Sequence, residues 1–231
     1  MALPSEWLLA GLSLLIAVVV FLCARRFLAT GDQKNVSVSP TELATSDRDV
    51  LTVFYASQKG HARRYADKLV AHMCKNGNGA VAVDLSGFDQ DQLVEIPRAV
   101  FIVATYAGGS AVPGTEPFFD ELAEMSRDFR VEKTLLAGMS YAVFGCGNSE
   151  YPAKDFNAVA RRLDRSLRLL GAKRLLARCE GDDIDNALSE QFDAWLSSFW
   201  TAATGDGIPG RPTGGSNPRP SDQRRRDCAA D

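Results

Sequence analysis

A chain of 231 residues, 45% of them hydrophobic and 24% charged, has room for one ordinary globular domain with appendages, and its composition is that of a folded protein. Its formal net charge of −3 argues against a generic polyanion-binding surface, so no direct nucleic-acid binding is expected. The five cysteines (Cys23, Cys74, Cys146, Cys179, Cys228) form no C-x-x-C pair, and His61 and His72 are the only histidines; zinc sites, iron–sulfur clusters, a disulfide framework and His-based triads are therefore disfavoured, and a reducing compartment is the natural reading.

Trp7–Ala24 (WLLAGLSLLIAVVVFLCA) is an unbroken run of apolar and small residues that would span roughly 27 Å as a helix, close to the ~30 Å hydrocarbon core of a bilayer. Trp7 suits one interface and Arg25-Arg26 close the other. The expectation is an anchor over residues 1–28, with everything after Arg26 on the cytosolic side, most simply of the endoplasmic reticulum. A cleaved signal peptide ending near Ala29-Thr30-Gly31 is the alternative. It is opposed by Glu6, by the length of the run and by the two arginines after it. Residues 29–48 are polar and read as a linker.

From residue 49 to residue 204 short β-rich runs alternate with helix-period segments. Val50–Ala56 (VLTVFYA) predicts a first strand and Ala62–Lys75 a helix, with Tyr65, Ala66, Leu69, Val70 and Met73 on one side. Ala80–Leu85 and Ala99–Ala104 predict the second and third strands, and a helix is expected over about Glu116–Arg130. Tyr141–Gly145 predicts the fourth strand, Asp155–Leu170 a strong helix, Lys173–Cys179 the fifth strand, and Asn186–Ala203 the last helix. Five strands alternating with helices imply an α/β fold with a parallel sheet covered on both faces. Residues 205–231, crowded with Gly, Pro and Arg, read as a disordered tail.

In such sheets ligands sit beyond the carboxyl ends of the strands, where the strand order reverses. Three loops matter. Ser57-Gln58-Lys59-Gly60-His61-Ala62 places a glycine among small polar residues at a helix start, where free backbone N–H groups suit a phosphate. The G-x-x-x-x-G-K-[ST] spacing of a Walker loop is absent. Thr105-Tyr106-Ala107-Gly108-Gly109 offers an aromatic face with glycine backbone beside it, although an ordinary surface loop has the same composition. Gly145-Cys146-Gly147-Asn148-Ser149-Glu150-Tyr151 offers flexible backbone and a second tyrosine, and differs from a dinucleotide fingerprint because Glu150 stands in the third glycine's place. Cys146, with no basic companion in the sequence, reads as a packing residue. Arg161, Arg162, Arg165 and Arg168 read mostly as a solvated helix face.

The segments YASQKGHA, ATYAGG, FGCGNSEY followed by DFNAVARRLDRSLRLLGA, and EGDD together resemble the flavodoxin-like FMN-binding domain, over Leu51–Trp200. Such domains occur in microsomal diflavin reductases and at the amino end of eukaryotic wyosine-forming tRNA enzymes, and DFRVEKTLLAGMSYAVFGCGNSEY is most similar to the latter. The resemblance implies a doubly wound sheet of five parallel strands in the order 2-1-3-4-5, and FMN as cofactor. It implies a phosphate loop at Ser57, Gln58, Lys59, Gly60, His61 and Ala62. Thr105, Tyr106 and Gly108 would hold one side of the ring, with Tyr106 and Tyr151 flanking it, Gly145, Gly147 and Asn148 at its polar edge, and Asp182 nearby. No catalytic or metal residue is implied.

The family usually has threonine where Lys59 stands and often a small hydroxyl residue at His61; the lysine charge would compensate for the lost donor. The resemblance further implies an electron relay that takes reducing equivalents from a separate NAD(P)H-dependent reductase and passes them singly to a redox acceptor. A flavin-free accessory subunit of the same fold is the alternative, as is the flavodoxin part of a split wyosine enzyme acting in trans, since these residues contain no C-x-x-x-C-x-x-C cluster.

Overall fold

The computed structural model describes residues 50–205. In chain order these form β1 (Leu51–Ala56), α1 (His61–Lys75), β2 (Ala80–Asp84), a 3-10 turn at Gln90–Glu95, β3 (Arg98–Ala104), α2 (Glu116–Arg127), β4 (Ser140–Gly147), α3 (Ala158–Leu169), β5 (Lys173–Arg174), β6 (Cys179–Asp182) and α4 (Leu188–Gly205). The expected anchor at Trp7–Ala24, the linker and the tail lie outside the described residues. Among the described residues no helix is long and apolar enough to cross a membrane.

The strands form one parallel sheet in the order β2-β1-β3-β4-β5, with β6 also on β4. This is the order expected from the resemblance. The register pairs Val53 with Val100, Phe101 with Val143 and Cys146 with Gly181. β1, β3 and β4 are continuous apolar runs because helices bury both of their faces. On one face Leu51, Val53, Val100, Ile102 and Phe144 pack with Leu69 of α1 and with Phe192, Trp195 and Phe199 of α4. Phe192 stacks on Tyr65 with centroids 4.6 Å apart and meets Phe144 edge-on at 5.1 Å. On the other face Phe54 stacks on Phe101 at 5.0 Å and meets Phe88 at 4.8 Å. The fully buried rings of Phe54, Phe101, Phe144, Phe192 and Phe199 each contribute roughly 1.5–3 kcal/mol by leaving water.

Most boundaries move by one or two residues, β4 running on to Gly147 and the last helix spanning Leu188–Gly205, and three differ by more. The helix expected to reach Arg130 stops at Arg127, because Asp128 turns to extended backbone and its carboxylate takes Arg130 Nη2 at 2.6 Å. The helix expected from Asp155 begins at Ala158, since the buried Asn157 has φ 51, outside helical space. The expected strand Lys173–Cys179 is two short strands. Leu175 still donates its N–H to the Tyr141 carbonyl at 2.8 Å. The chain then leaves the ladder and returns at Cys179. The arginines flanking this excursion converge on one carboxylate: Arg174 Nε and Arg178 Nη1 donate to Asp164 at 2.9 and 2.8 Å. Asp164 is 2% exposed, and a buried carboxylate needs such partners. Tyr141 adds its hydroxyl at 2.8 Å.

Candidate functional site

All three loops named from the sequence leave the carboxyl ends of adjacent strands. β1, β3 and β4 are neighbours in the sheet, so the loops share one edge of the domain.

The first loop carries Ser57, Gln58, Lys59 and Gly60 into α1. Gly60 has φ 83 and precedes His61, the first helical residue, with no side chain capping the helix. Glycine is needed there, because a side chain at that φ is strained. The first intrahelical donor is Arg64, whose N–H reaches the Gly60 carbonyl at 3.0 Å. No described group accepts from the N–H groups of Ser57 to Arg63. The first turn holds no acidic residue. Free donors at the positive end of a helix dipole make a cradle for a phosphate. Gln58 and Lys59 are exposed and Ala62 is buried beneath them. His61 Nδ1 lies 4.0 Å from Asp183 Oδ2, both side chains being exposed, so the helix start lies beside the chain after β6.

The second loop is closed on itself. Tyr106 N–H donates to the Ser110 carbonyl at 2.9 Å and Gly109 N–H to the Tyr106 carbonyl at 3.1 Å, across Gly108 with φ 66. Arg162 Nη2 donates to the Gly109 carbonyl at 2.9 Å, so this arginine holds the loop rather than lying on a purely solvated face. Tyr106 is 41% exposed. Thr105 is occupied within the fold: its N–H donates to the Cys146 carbonyl at 3.1 Å and its hydroxyl accepts from Val159 N–H at 3.3 Å.

In the third loop Tyr151 is 58% exposed. Asn148 Oδ1 accepts from Glu150 N–H at 2.8 Å and shapes the turn that leads to Tyr151. Asp182 Oδ1 accepts from Ser149 N–H at 2.8 Å and from Ile184 N–H at 3.2 Å. Gly145 and Gly147 flank Asn157 from below: a methyl at Gly147 would stand 2.7 Å from Asn157 Nδ2. Burial, with the Asp183 charge adding to it, pushes the Cys146 thiol up to about 12. Cys146 is therefore a neutral packing group, as expected. Among the described residues no group of His, Cys, Asp and Glu side chains is arranged to hold a metal.

Asn157 and Arg162 are the residues that the sequence reading missed. A lone Asn just ahead of a helix is a capping signal, which marks position 157, whereas nothing in the pattern distinguishes Arg162 from its neighbours.

A family profile described as Flavodoxin matches residues 53–195. The chain belongs to the flavodoxin family. This flavodoxin domain is 36% identical over 178 residues to the S-adenosyl-L-methionine-dependent tRNA 4-demethylwyosine synthase of Danio rerio, covering 71% of this chain and 24% of that protein. It is 33% identical over 208 residues to the human synthase of the same name, covering 80% and 28%. It is 36% identical over 157 residues to the NADPH–cytochrome P450 reductase of Sus scrofa, covering 66% and 22%. The chain thus spans about a quarter of the length of the curated relatives it matches. The fold is shared with the flavodoxin of Pseudomonas aeruginosa (TM-score 0.53, 17% identity, 67% of this chain and 99% of that one) and with flavodoxin 1 of Bacillus cereus (0.54, 19%, 67% and 97%). The cofactor of this flavodoxin domain is FMN, and the residues fit it. The loop after β1 presents free donors to a phosphate, and Tyr106 and Tyr151, on loops from adjacent strands, present exposed rings to a flat apolar ring system.

Proposed function

We propose that this domain is an FMN-dependent electron relay, held at the cytosolic face of a membrane by Trp7–Ala24 and reduced by a separate NAD(P)H-dependent reductase. The observation that carries the reading is the loop after β1. Its backbone donors, from Ser57 to Arg63, have no acceptor among the described residues, and free N–H groups gathered at the positive end of a helix suit an anionic phosphate. Those N–H groups, with Lys59 beside them, bind the phosphate. Tyr106 and Tyr151 cover the ring and exclude water from it, and Asp182 holds the third loop in place. Bound FMN supplies the conversion of electron pairs into single electrons. Among the described residues no side-chain group replaces that chemistry, and Cys146, buried and neutral, takes no part in it.

The acceptor is proposed to be a tRNA-modifying radical enzyme in preference to a cytochrome. Similarity to the human wyosine synthase runs over 208 residues, against 157 for the pig reductase. The visible absorption spectrum of the purified chain tests the cofactor and the relay together. An oxidised flavin spectrum that NADPH bleaches only when a diflavin-type reductase domain is added supports the proposal. A colourless protein that stays colourless after FMN titration leaves only a flavin-free subunit of the same fold.

A further inference from the structure

Asn157 stands ahead of α3 against the ends of β4 and β6, and it combines three unfavourable properties. Its backbone lies in the left-handed region, with φ 51 and ψ 25. Its side chain is fully buried. Its Oδ1 atom has no hydrogen-bond partner. Few residues other than glycine take such a backbone, asparagine most readily among them, and buried amide oxygens are rarely left unpaired. Features of this kind persist only where the surroundings over-determine them, and they collect at functional sites.

The surroundings here are specific. Asn157 Nδ2 donates to the Gly181 carbonyl at 2.9 Å, reaching across to β6. The Asn157 carbonyl accepts from Arg161 N–H at 3.0 Å and so opens α3. The side-chain amide fills the space beside two glycines of β4. A methyl group at Gly145 would overlap Asn157 Oδ1 outright and come within 2.8 Å of Ala160 Cβ, and one at Gly147 would stand 2.7 Å from Asn157 Nδ2. Gly145 and Gly147 pair with Glu180 and Asp182 of β6. From these strand ends hang the loop that carries Tyr151 and the loop that follows Asp182. Gly147 also accepts the Asp183 N–H at 2.9 Å.

We propose that Asn157 is the positioning residue of this site: a wedge that sets the spacing of β4, β6 and α3 and thereby presents the two loops to FMN. Positions 145 and 147 are glycine because the Asn157 amide needs their space, whatever the cofactor contacts there. Fully buried, Asn157 touches no ligand itself and acts through the strand ends. The inference rests on the FMN reading for its functional part and on packing alone for its structural part.

The test uses the full chain with Asn157→Gly, Gly145→Ala and the double variant. Glycine accepts the φ of position 157, so Asn157→Gly removes the wedge without straining the backbone. Three quantities are read: the melting temperature of the apoprotein, the amide hydrogen exchange of Ser149 and Asp183, and the FMN dissociation constant by flavin fluorescence. Gly145→Ala lowers the apoprotein melting temperature strongly when Asn157 is present and clearly less when Asn157→Gly accompanies it, the remaining cost being the 2.8 Å approach to Ala160 Cβ. Asn157→Gly alone speeds exchange at Ser149 and Asp183 and weakens FMN binding about tenfold, the low end of what losing a residue that supports a bound group costs. If Gly145→Ala alone does not fold, a folded double variant is the supporting result. If neither folds, the same comparison at Gly147→Ala, whose methyl meets chiefly Asn157 Nδ2 at 2.7 Å, decides, and an equal cost in both backgrounds there overturns the proposal. An equal cost of Gly145→Ala in both backgrounds also overturns it, as does unchanged exchange and affinity in Asn157→Gly. If the parent binds no FMN, the functional part falls with that reading, while melting and exchange still decide the wedge.

Discussion

Asp182 and Ser149 are joined by a hydrogen bond of 2.8 Å from the Ser149 backbone N–H to Asp182 Oδ1, across 33 residues of sequence. The same oxygen accepts from Ile184 N–H at 3.2 Å, so one carboxylate fixes both chain segments that follow β4 and β6. This contact is exposed, and its strength is set by charge-assisted hydrogen bonding discounted for solvent.

Removing that carboxylate releases the Tyr151 loop. Asp182→Ala is expected to weaken FMN binding roughly fivefold, taking about 1 kcal/mol for the lost anchoring, and to lower the melting temperature by about 2–4 °C. Asp182→Asn keeps an acceptor oxygen and recovers most of both. Fluorescence titration with FMN and a thermal melt check the pair; equal affinity in Asp182→Ala and the parent would show that the loop is held by other means.

In the proposed site the two exposed tyrosines stack on the flavin ring. Tyr106→Ala and Tyr151→Ala should each weaken FMN binding by about 1–3 kcal/mol, from lost stacking and lost apolar contact. Both rings are partly in solvent, at 41% and 58% exposure, so neither substitution should much change the melting temperature of the apoprotein. Calorimetric titration measures the affinities, and unchanged values in both variants would remove the tyrosines from the site.

Glu180 gives the domain an acid-sensitive tie. Burial acts to raise its pKa, yet hydrogen bonds from Arg161 and Arg178 outweigh that and hold the carboxyl below its ordinary value of 4.5. Arg161 Nε and Arg178 Nη2 reach it at 2.9 and 2.7 Å. A carboxylate with a depressed folded-state pKa stabilises the fold above its unfolded value and loses that contribution as pH falls through the folded one. The expected loss therefore begins near pH 4.5 and grows below it. Glu180→Gln should lower the melting temperature at pH 7 and flatten its dependence on pH on the acid side. Parallel melting curves for parent and variant across that window would refute the tie.

Membrane topology has a reporter in the sequence itself. Asn35-Val36-Ser37 is a glycosylation acceptor in the proposed linker. With Arg25-Arg26 on the cytosolic side it stays unmodified in a eukaryotic membrane preparation. A second acceptor sequence engineered into residues 205–231 is expected to stay unmodified too. Glycan on the engineered site would place the domain in the lumen and end the proposal of a cytosolic relay.

Much of this molecule was legible as a string of residues. β1, β3 and β4 are apolar runs because both faces of a central parallel strand are buried, and a loop must follow each, so the site's three loops could be named before any coordinates. Tyr106 and Tyr151 stand on loops and Gly60 at a helix start, where the pattern placed them, whereas Cys146, expected in the third loop, lies inside β4. The edge of the sheet was not legible. Whether Lys173–Cys179 runs as one strand depends on Arg174 and Arg178 meeting Asp164, which lies 10 and 14 residues earlier, and periodicity within a segment carries no information about a carboxylate buried from another element. Asn157 was missed for the same reason. Its left-handed backbone, its bond to Gly181 and the glycines beside it are properties of four segments packed together. Local hydrophobic pattern determined which segments are strands, helices and site loops. Only the packing of those segments decided where each boundary falls and what each polar side chain holds, because buried polar groups must find partners wherever the fold supplies them.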